Sequence, residues 1–251
     1  MRYQGGKSRI ANDIAKIINQ ARFSRYGNEG GCVVSLFCGT CSVESKLTGF
    51  TRRILNDKHE YLIAMLRAVQ AGYELPDQVS EAQYRYLRNH KDDDKALTGF
   101  VGFGCSFGGK FFNSFARGGR KIENYAAESK KSLLRDMATL TDAEFTNYDY
   151  RDVILPDAAI VYADPPYNNT TAYFSNEKFN TSEFWQYARD ISERGHLIFI
   201  SELHAPEDFV CVWQKQIKRQ LDCNKNNLFT STEKLFVHRS FADELQRHQK
   251  N

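Results

Sequence analysis

No run of apolar residues in this 251-residue chain approaches the ~18 that a membrane-crossing helix needs. The opening residues, Met1-Arg2-Tyr3-Gln4-Gly5-Gly6-Lys7, contain no apolar signal core, so export is not expected and the protein is read as cytoplasmic. Cysteine is scarce: six are present, and without an export signal they are expected as reduced thiols. Cys38 and Cys41 form a C-x-x-C pair, but Cys32, Cys105, Cys211 and Cys223 offer no second pair, and a structural zinc requires four close ligands. No metal is therefore expected, and the pair is read as small buried residues of a turn. Compositional bias is also missing. With 41% apolar and 26% charged residues, the chain is not disordered, collagen-like or a disulfide scaffold, and it is long enough for one domain or a domain with an inserted lobe.

Net charge is small, +3, but it is not spread evenly. Between Ser106 and Arg135 stand seven basic residues (Lys110, Arg117, Arg120, Lys121, Lys130, Lys131, Arg135) against the two acids Glu123 and Glu128. Clustered positive charge is the footprint of a polyanion partner, and a solvated helix face is the alternative.

Hydrophobic spacing places Ile10, Ile14, Ile17 and Ile18 on one helical face, with Ser8 as its N-cap. Cys32 to Phe37 reads as a buried strand, followed by the small residues Gly39-Thr40-Cys41-Ser42 and a short helix that Gly49 can end. Arg53 to Asp57 is a second strand and His59 to Ala71 a second helix, a βαβα pattern that implies a parallel sheet covered by helices. From about Tyr73 to Leu140 only helical periodicity is present, broken by a glycine-rich stretch from Gly99 to Gly119. Strands return at Glu144–Asp149, Ala159–Asp164 and His196–Ser201, with a helix over Thr181–Arg194. Gln216–Leu221 and Lys234–His238 should form an antiparallel pair. The expected fold is α/β, mostly parallel with an antiparallel C-terminal pair. Residues 1–72 and 141–251 would form the catalytic domain, and 73–140 an inserted helical, basic lobe.

Asp164-Pro165-Pro166-Tyr167, directly after Ile160-Val161-Tyr162-Ala163, is the strongest chemical signal. Two prolines fix φ and remove two backbone donors, leaving carbonyls that point outward from a stiff turn at the C-terminal end of a buried strand. A carboxylate, a free carbonyl and an aromatic face suit a planar base with an exocyclic amine. The loop Phe37-Cys38-Gly39-Thr40-Cys41 lets the backbone approach a nucleotide-like ligand. Asp57, about 20 residues on, is the acid expected on ribose hydroxyls or, alternatively, a helix N-cap. Gly5-Gly6-Lys7 before the first helix is a place to receive a carboxylate, with a solvated lysine as the other reading.

In this order the motifs resemble the Dam-like, amino-group-forming DNA adenine methyltransferases, over most of the chain. The resemblance implies a Rossmann-like methyltransferase sheet, S-adenosylmethionine as methyl donor and adenine N6 in double-stranded DNA as acceptor. It also implies a flipped target base and a bacterial or phage-encoded enzyme of a restriction-modification or orphan system. A monomer is compatible with it. Lys7 would then meet the cofactor carboxylate, with Gly6 in its turn. Phe37, Cys38, Gly39, Thr40 and Cys41 would line the amino-acid part, Asp57 the ribose, Tyr150 the adenine, and Tyr3 would flank the whole. Asp164, Pro165, Pro166 and Tyr167 would be catalytic, Asp164 also touching the cofactor; apart from the resemblance, the glycines and cations of the segment Gly108–Lys121 point to Lys110, Asn113, Arg117, Arg120 and Lys121 as the residues that would meet DNA. The phenylalanines Phe111, Phe112 and Phe115 would stack on bases or pack inside the lobe. One departure stands out: Cys41 occupies the family's second loop glycine. Cytosine N4, RNA adenine or a protein glutamine as acceptor, and a binding module whose catalysis has decayed, are the competing readings.

Overall fold

Short β-branched and apolar runs, each closed by a polar or glycine turn, become the central strands of a sheet. The computed structural model describes residues 1–118, 124–166, 179–220 and 228–242. In chain order the elements are α1 (Ala11–Tyr26), β1 (Cys32–Ser35), β2 (Arg52–Asn56), α2 (Glu60–Gln70), α3 (Glu81–Asn89), α4 (Lys95–Gly104) and α5 (Tyr125–Met137). Then follow β3 (Glu144–Thr146), β4 (Ile160–Ala163), α6 (Thr181–Glu193), β5 (Leu197–Glu202), β6 (Phe209–Gln220) and β7 (Leu228–His238). The seven strands take the order β3-β2-β1-β4-β5-β7-β6; β2 and β3, β1 and β4, and β4 and β5 pair in parallel, and β7 runs antiparallel to both β5 and β6. This is the expected mixed α/β sheet with its antiparallel C-terminal pair.

Two compact units divide the chain: Met1–Ile17 with Phe37–Thr48 and Arg52–Val153, and Ile18–Leu36 with Gly49–Thr51 and Ile154–Asn251. In the first, α2 and α4 pack closely enough that a Cβ on Gly99 would stand 2.1 Å from the Tyr61 carbonyl oxygen. Leu62, Met65, Leu66, Phe100, Phe103, Leu133 and Leu140 fill the core around that contact. Burying each such side chain contributes roughly 1.5–3 kcal/mol. The helices between Tyr73 and Leu140 thus share one core with α2 and Phe145 of β3. In the second unit β4 and β5 are buried on both faces, as their unbroken apolar runs require. Phe184 and Trp185 of α6 are buried with them, and Trp185 meets Phe209 at 4.7 Å between ring centroids.

Four local expectations are corrected. Ser8 does not cap the first helix, which begins at Ala11 after a turn closed by the Ile10 N–H to the Lys7 carbonyl. The helix after the Gly39 loop is one 3-10 turn, Glu44–Lys46. β3 stops at Thr146, because the Asn56 side chain takes both the N–H and the carbonyl of Tyr148 that pairing would have used. β6 begins at Phe209, seven residues before the expected Gln216.

Candidate functional site

In the first unit the turn after β1 is built by hydrogen bonds. The Cys38 N–H donates to the Asn56 carbonyl at 2.8 Å, and the Cys41 N–H to the Cys38 carbonyl at 2.8 Å. Gly39 (φ 51°) and Cys41 (φ 58°) both take left-handed backbone, the second without the freedom of a glycine. At the C-terminal end of β2, Asp57 accepts the Gly39 N–H at 3.0 Å on Oδ2 and the His59 N–H at 2.9 Å on Oδ1. One carboxylate therefore ties the loop to the start of α2. The N-cap of α2 is His59, whose Nδ1 accepts the Leu62 N–H, and not Asp57. Tyr3 closes over the loop: a Cβ on Gly39 would lie 3.1 Å from its ring. Gly6 donates to the Tyr3 carbonyl at 3.0 Å, and Lys7 beside it is only 6% exposed, its Nζ 3.5 Å from the Gly5 carbonyl. The rings of Phe37 and Tyr150 meet at 5.5 Å, with Tyr150 buried. Tyr3, Gly39, Cys41 and Asp57 are thus brought together, with Gly6 and Lys7 adjoining through Tyr3. Thr40 is buried in the same turn.

Burial sets the electrostatics of this cluster. It raises the Asp57 carboxyl to about 6, against the two backbone donors that favour its ionised form. It pushes His59 down to about 3, so the imidazole is neutral. It also raises the thiols of Cys38 and Cys41, the former well above the usual range, which keeps both protonated and unreactive. At the edge, burial draws Asp149 upward, but hydrogen bonds from Arg151 and Lys58 outweigh it and hold that carboxyl near about 2.

In the second unit β4 carries Asp164, Pro165 and Pro166 at its C-terminal end, with Pro165 buried and its neighbours partly exposed. Beneath them the Tyr162 carbonyl accepts the Leu36 N–H at 2.9 Å, and the Tyr162 hydroxyl meets Ser201 Oγ at 3.0 Å. The turn therefore rests on a strand whose polar groups are already satisfied. Tyr167 lies outside the described residues.

The expected DNA-binding stretch divides. Phe112 is buried, and Phe111 and Phe115 pack against the same core. Phe111 meets His59 at 4.5 Å and Phe103 at 4.8 Å, and Phe112 and Phe115 meet Tyr84 at 5.0 and 5.4 Å. Stacking of these three rings on bases is therefore corrected: they are core. Gly102 makes room for them, since a Cβ there would stand 2.3 Å from the Phe111 ring. The exposed ring of the stretch is Phe107, 61% accessible, which sequence reasoning passed over because it precedes the glycine turn. Among the cations, Arg117 is paired with Glu81, Lys130 with Asp77 and Arg135 with Asp136. The charge excess counted along the chain is thus partly cancelled by acids outside the stretch. Asn113 is exposed and Lys110 partly so. Arg120 and Lys121 lie outside the described residues. Sequence reasoning also missed a pocket of about 440 Å³ lined by Arg2, Ser8, Tyr125, Ser129 and Arg135, with the Arg2 guanidinium 4.6 Å above the Tyr125 ring.

Comparison with curated proteins gives no match. Among solved structures, the chain is similar to the rRNA methyltransferase AviRa from Streptomyces viridochromogenes, at 14% identity and a TM-score of 0.45, over 98% of this chain and 89% of that one. It is also similar to a putative RNA methyltransferase from Pyrococcus horikoshii, at 13% identity and a TM-score of 0.41, over 90% and 83%. A glycopeptide N-methyltransferase complexed with sinefungin gives 10% identity and a TM-score of 0.36, over 95% and 75%. At these values the likenesses decide nothing about substrate. The family match does more, covering residues 3–98 and 109–201 and so taking in the Gly-Gly-Lys turn, the loop after β1, Asp57 and the Asp-Pro-Pro turn. The chain belongs to the D12 class N6 adenine-specific DNA methyltransferase family.

Proposed function

We propose that this methyltransferase moves a methyl group from S-adenosylmethionine to the N6 amino group of adenine in double-stranded DNA, acting on a flipped base. The observation that carries the reading is the Asp164-Pro165-Pro166 turn at the end of β4, in a chain whose other unit holds a nucleotide-type cluster around Gly39 and Asp57.

The residues of that cluster fit the cofactor. Gly39 lets the Tyr3 ring pack directly on the loop backbone, and Lys7 is a buried cation suited to a carboxylate. Each Asp57 oxygen accepts one backbone N–H and keeps a further lone pair for a hydroxyl. Phe37 and Tyr150 provide adjacent aromatic faces for a planar ring. Bound there, S-adenosylmethionine supplies an electrophilic methyl group on a sulfonium. Cys41 takes left-handed backbone, the conformation a glycine adopts readily, which supports a working loop over a decayed one.

An adenine N6 lone pair is delocalised into the ring and attacks poorly. The Asp164 carboxylate and the Pro165 carbonyl are the acceptors for its two N–H groups, which favours a pyramidal nitrogen. Those hydrogen bonds strengthen as positive charge develops on N6, so they stabilise the transition state more than the ground state. A base inside a duplex cannot reach such a turn and must leave the stack, with Tyr167 as the ring to receive it. Residues 73–140 are the proposed recognition segment, with Lys110, Asn113, Arg117, Arg120 and Lys121 toward the phosphates. The setting is an intracellular restriction-modification or orphan methylation system. Incubation with methyl-labelled S-adenosylmethionine and DNA, then digestion to nucleosides, should place the label in N6-methyladenine. Label in N4-methylcytosine, or in RNA alone, would contradict the proposal.

A further inference from the structure

The loop Phe107–Ser114 is closed on itself. The Phe107 N–H donates to the Ser114 carbonyl and the Ala116 N–H to the Cys105 carbonyl, both at 2.8 Å, and Ser106 pairs with Phe115 across the same closure. Outward, the loop exposes Phe107, Gly108, Asn113 and Ser114, with Lys110 partly exposed. Inward, it is held at two points, and each leads to the turn after β1. At the first, the Gly109 carbonyl accepts the Gln4 N–H at 3.1 Å, and a Cβ on Gly109 would stand 2.6 Å from the Tyr3 nitrogen. Tyr3 in turn lies over Gly39, where a Cβ would be 3.1 Å from its ring. At the second, the Phe111 ring meets the His59 ring edge-on at 4.5 Å. His59 is buried, and its N–H donates to Asp57, whose other oxygen accepts the Gly39 N–H.

Both paths end on Gly39, and every residue along them belongs to the first compact unit. Groups packed this closely shift between discrete arrangements and do not deform softly, which is how one site can bias another. Each loop also holds a non-glycine residue in left-handed backbone, Phe112 (φ 45°) and Cys41 (φ 58°). Such strain persists only while the surroundings impose it, so a ligand that moves one loop changes the balance of states open to the other.

We propose that Gln4 and His59 are positioning residues that couple these loops, so that duplex DNA on Phe107–Ser114 and S-adenosylmethionine at Gly39 each tighten the binding of the other. This rests on the reading of the protein as a DNA methyltransferase whose recognition segment includes the loop. The test uses the full chain and S-adenosylhomocysteine, which has no methyl group to transfer. Its affinity is measured with and without a saturating adenine-containing duplex, and the affinity for the duplex with and without S-adenosylhomocysteine. In wild type the two ratios should agree, as linkage requires, at about fivefold or more. Gly5 (φ 78°) and the Gly6 N–H to the Tyr3 carbonyl make Tyr3–Gly6 a type II turn, whose second residue accepts proline. Gln4→Pro therefore suits the turn and removes the N–H that reaches Gly109, while Gln4→Ala keeps it. Asparagine is a good N-cap, so His59→Asn keeps the cap of α2 and the N–H to Asp57 but removes the ring that meets Phe111. Gln4→Pro and His59→Asn should each lower the ratio by about threefold or more, and Gln4→Ala should keep it. A merely structural loss would weaken each ligand by itself and leave the ratio as it is. A wild-type ratio of one would overturn the coupling, and a ratio unchanged in either variant would overturn the link that it removes. A wild type that binds S-adenosylhomocysteine but no duplex DNA would overturn the DNA reading, and the proposal with it.

Discussion

Two turns follow two neighbouring kinds of strand end, and they are stiffened by different means. The turn after β1 is held by hydrogen bonds: Cys38 to Asn56, Gly39 to Asp57, Cys41 to Cys38, with Cys41 forced into left-handed backbone. The turn after β4 has two prolines in sequence, which need no partner to restrict φ. The first is adjustable, because its key acceptor is a carboxylate that burial brings to about 6. The second is fixed covalently by its two ring-locked φ angles. Under the proposed function, a loop that closes around a cofactor and a turn that presents acceptors to a reacting nitrogen call for those two solutions respectively.

The sharpest way to break this comparison is Asp164→Ala. Removing a transition-state acceptor should lower turnover by about 10²–10⁴ in a methyl-transfer assay, and near-normal turnover would defeat its role. Next is Asp57→Asn. Folded Asp57 titrates near about 6, above the ~3.9 of an unfolded aspartate, so its contribution is fully present below the lower value and is lost as pH rises through the higher. Denaturant unfolding between those pH values should show a decline of as much as about 3 kcal/mol in wild type, and the asparagine variant should lack it. Cofactor affinity should move the other way, weakening below about pH 6 as the carboxylate takes its proton.

Smaller effects sharpen the picture. Arg117→Ala with Arg120→Ala should weaken DNA binding and flatten its salt slope by about one unit per lost phosphate contact. Because Glu81 already neutralises Arg117, the larger share should fall to Arg120, measured singly. Cys41→Gly relieves left-handed backbone, worth of order 1–3 kcal/mol, but gives up a buried side chain. Its thermal stability should stay close to wild type, and its affinity for S-adenosylmethionine should be kept or improved. Marked weakening, or stoichiometric zinc in the wild type, would mean that the loop has been misread.

What was legible in the sequence was local. The runs Cys32–Leu36 and Ile160–Ala163 carry their own strand signal, and Asp164-Pro165-Pro166 its own turn, so these strands and the proline turn after β4 could be placed without tertiary information. The ion pairs of Arg117 and Lys130 reach acids 36 and 53 positions away, which a charge count along the chain does not register. The burial of Phe111 and Phe112 depends on Gly102, where the missing Cβ opens a slot visible only once α4 is packed. Asp57 was placed near the loop but not as its lock, since the Gly39 N–H that it accepts lies 18 residues away. The early start and full length of β6 were hidden because Gln214, Lys215 and Gln216 lack the alternation that marks a half-buried strand.

The division of labour between the two turns is tested most directly by cofactor binding and single-turnover methyl transfer measured together on Asp57→Asn and Asp164→Ala. Asp57→Asn should weaken S-adenosylmethionine binding while keeping a near-normal single-turnover rate at saturating cofactor. Asp164→Ala should lose that rate by about 10²-fold or more even at saturation. The reverse pattern, with chemistry lost in Asp57→Asn and retained in Asp164→Ala, would contradict it.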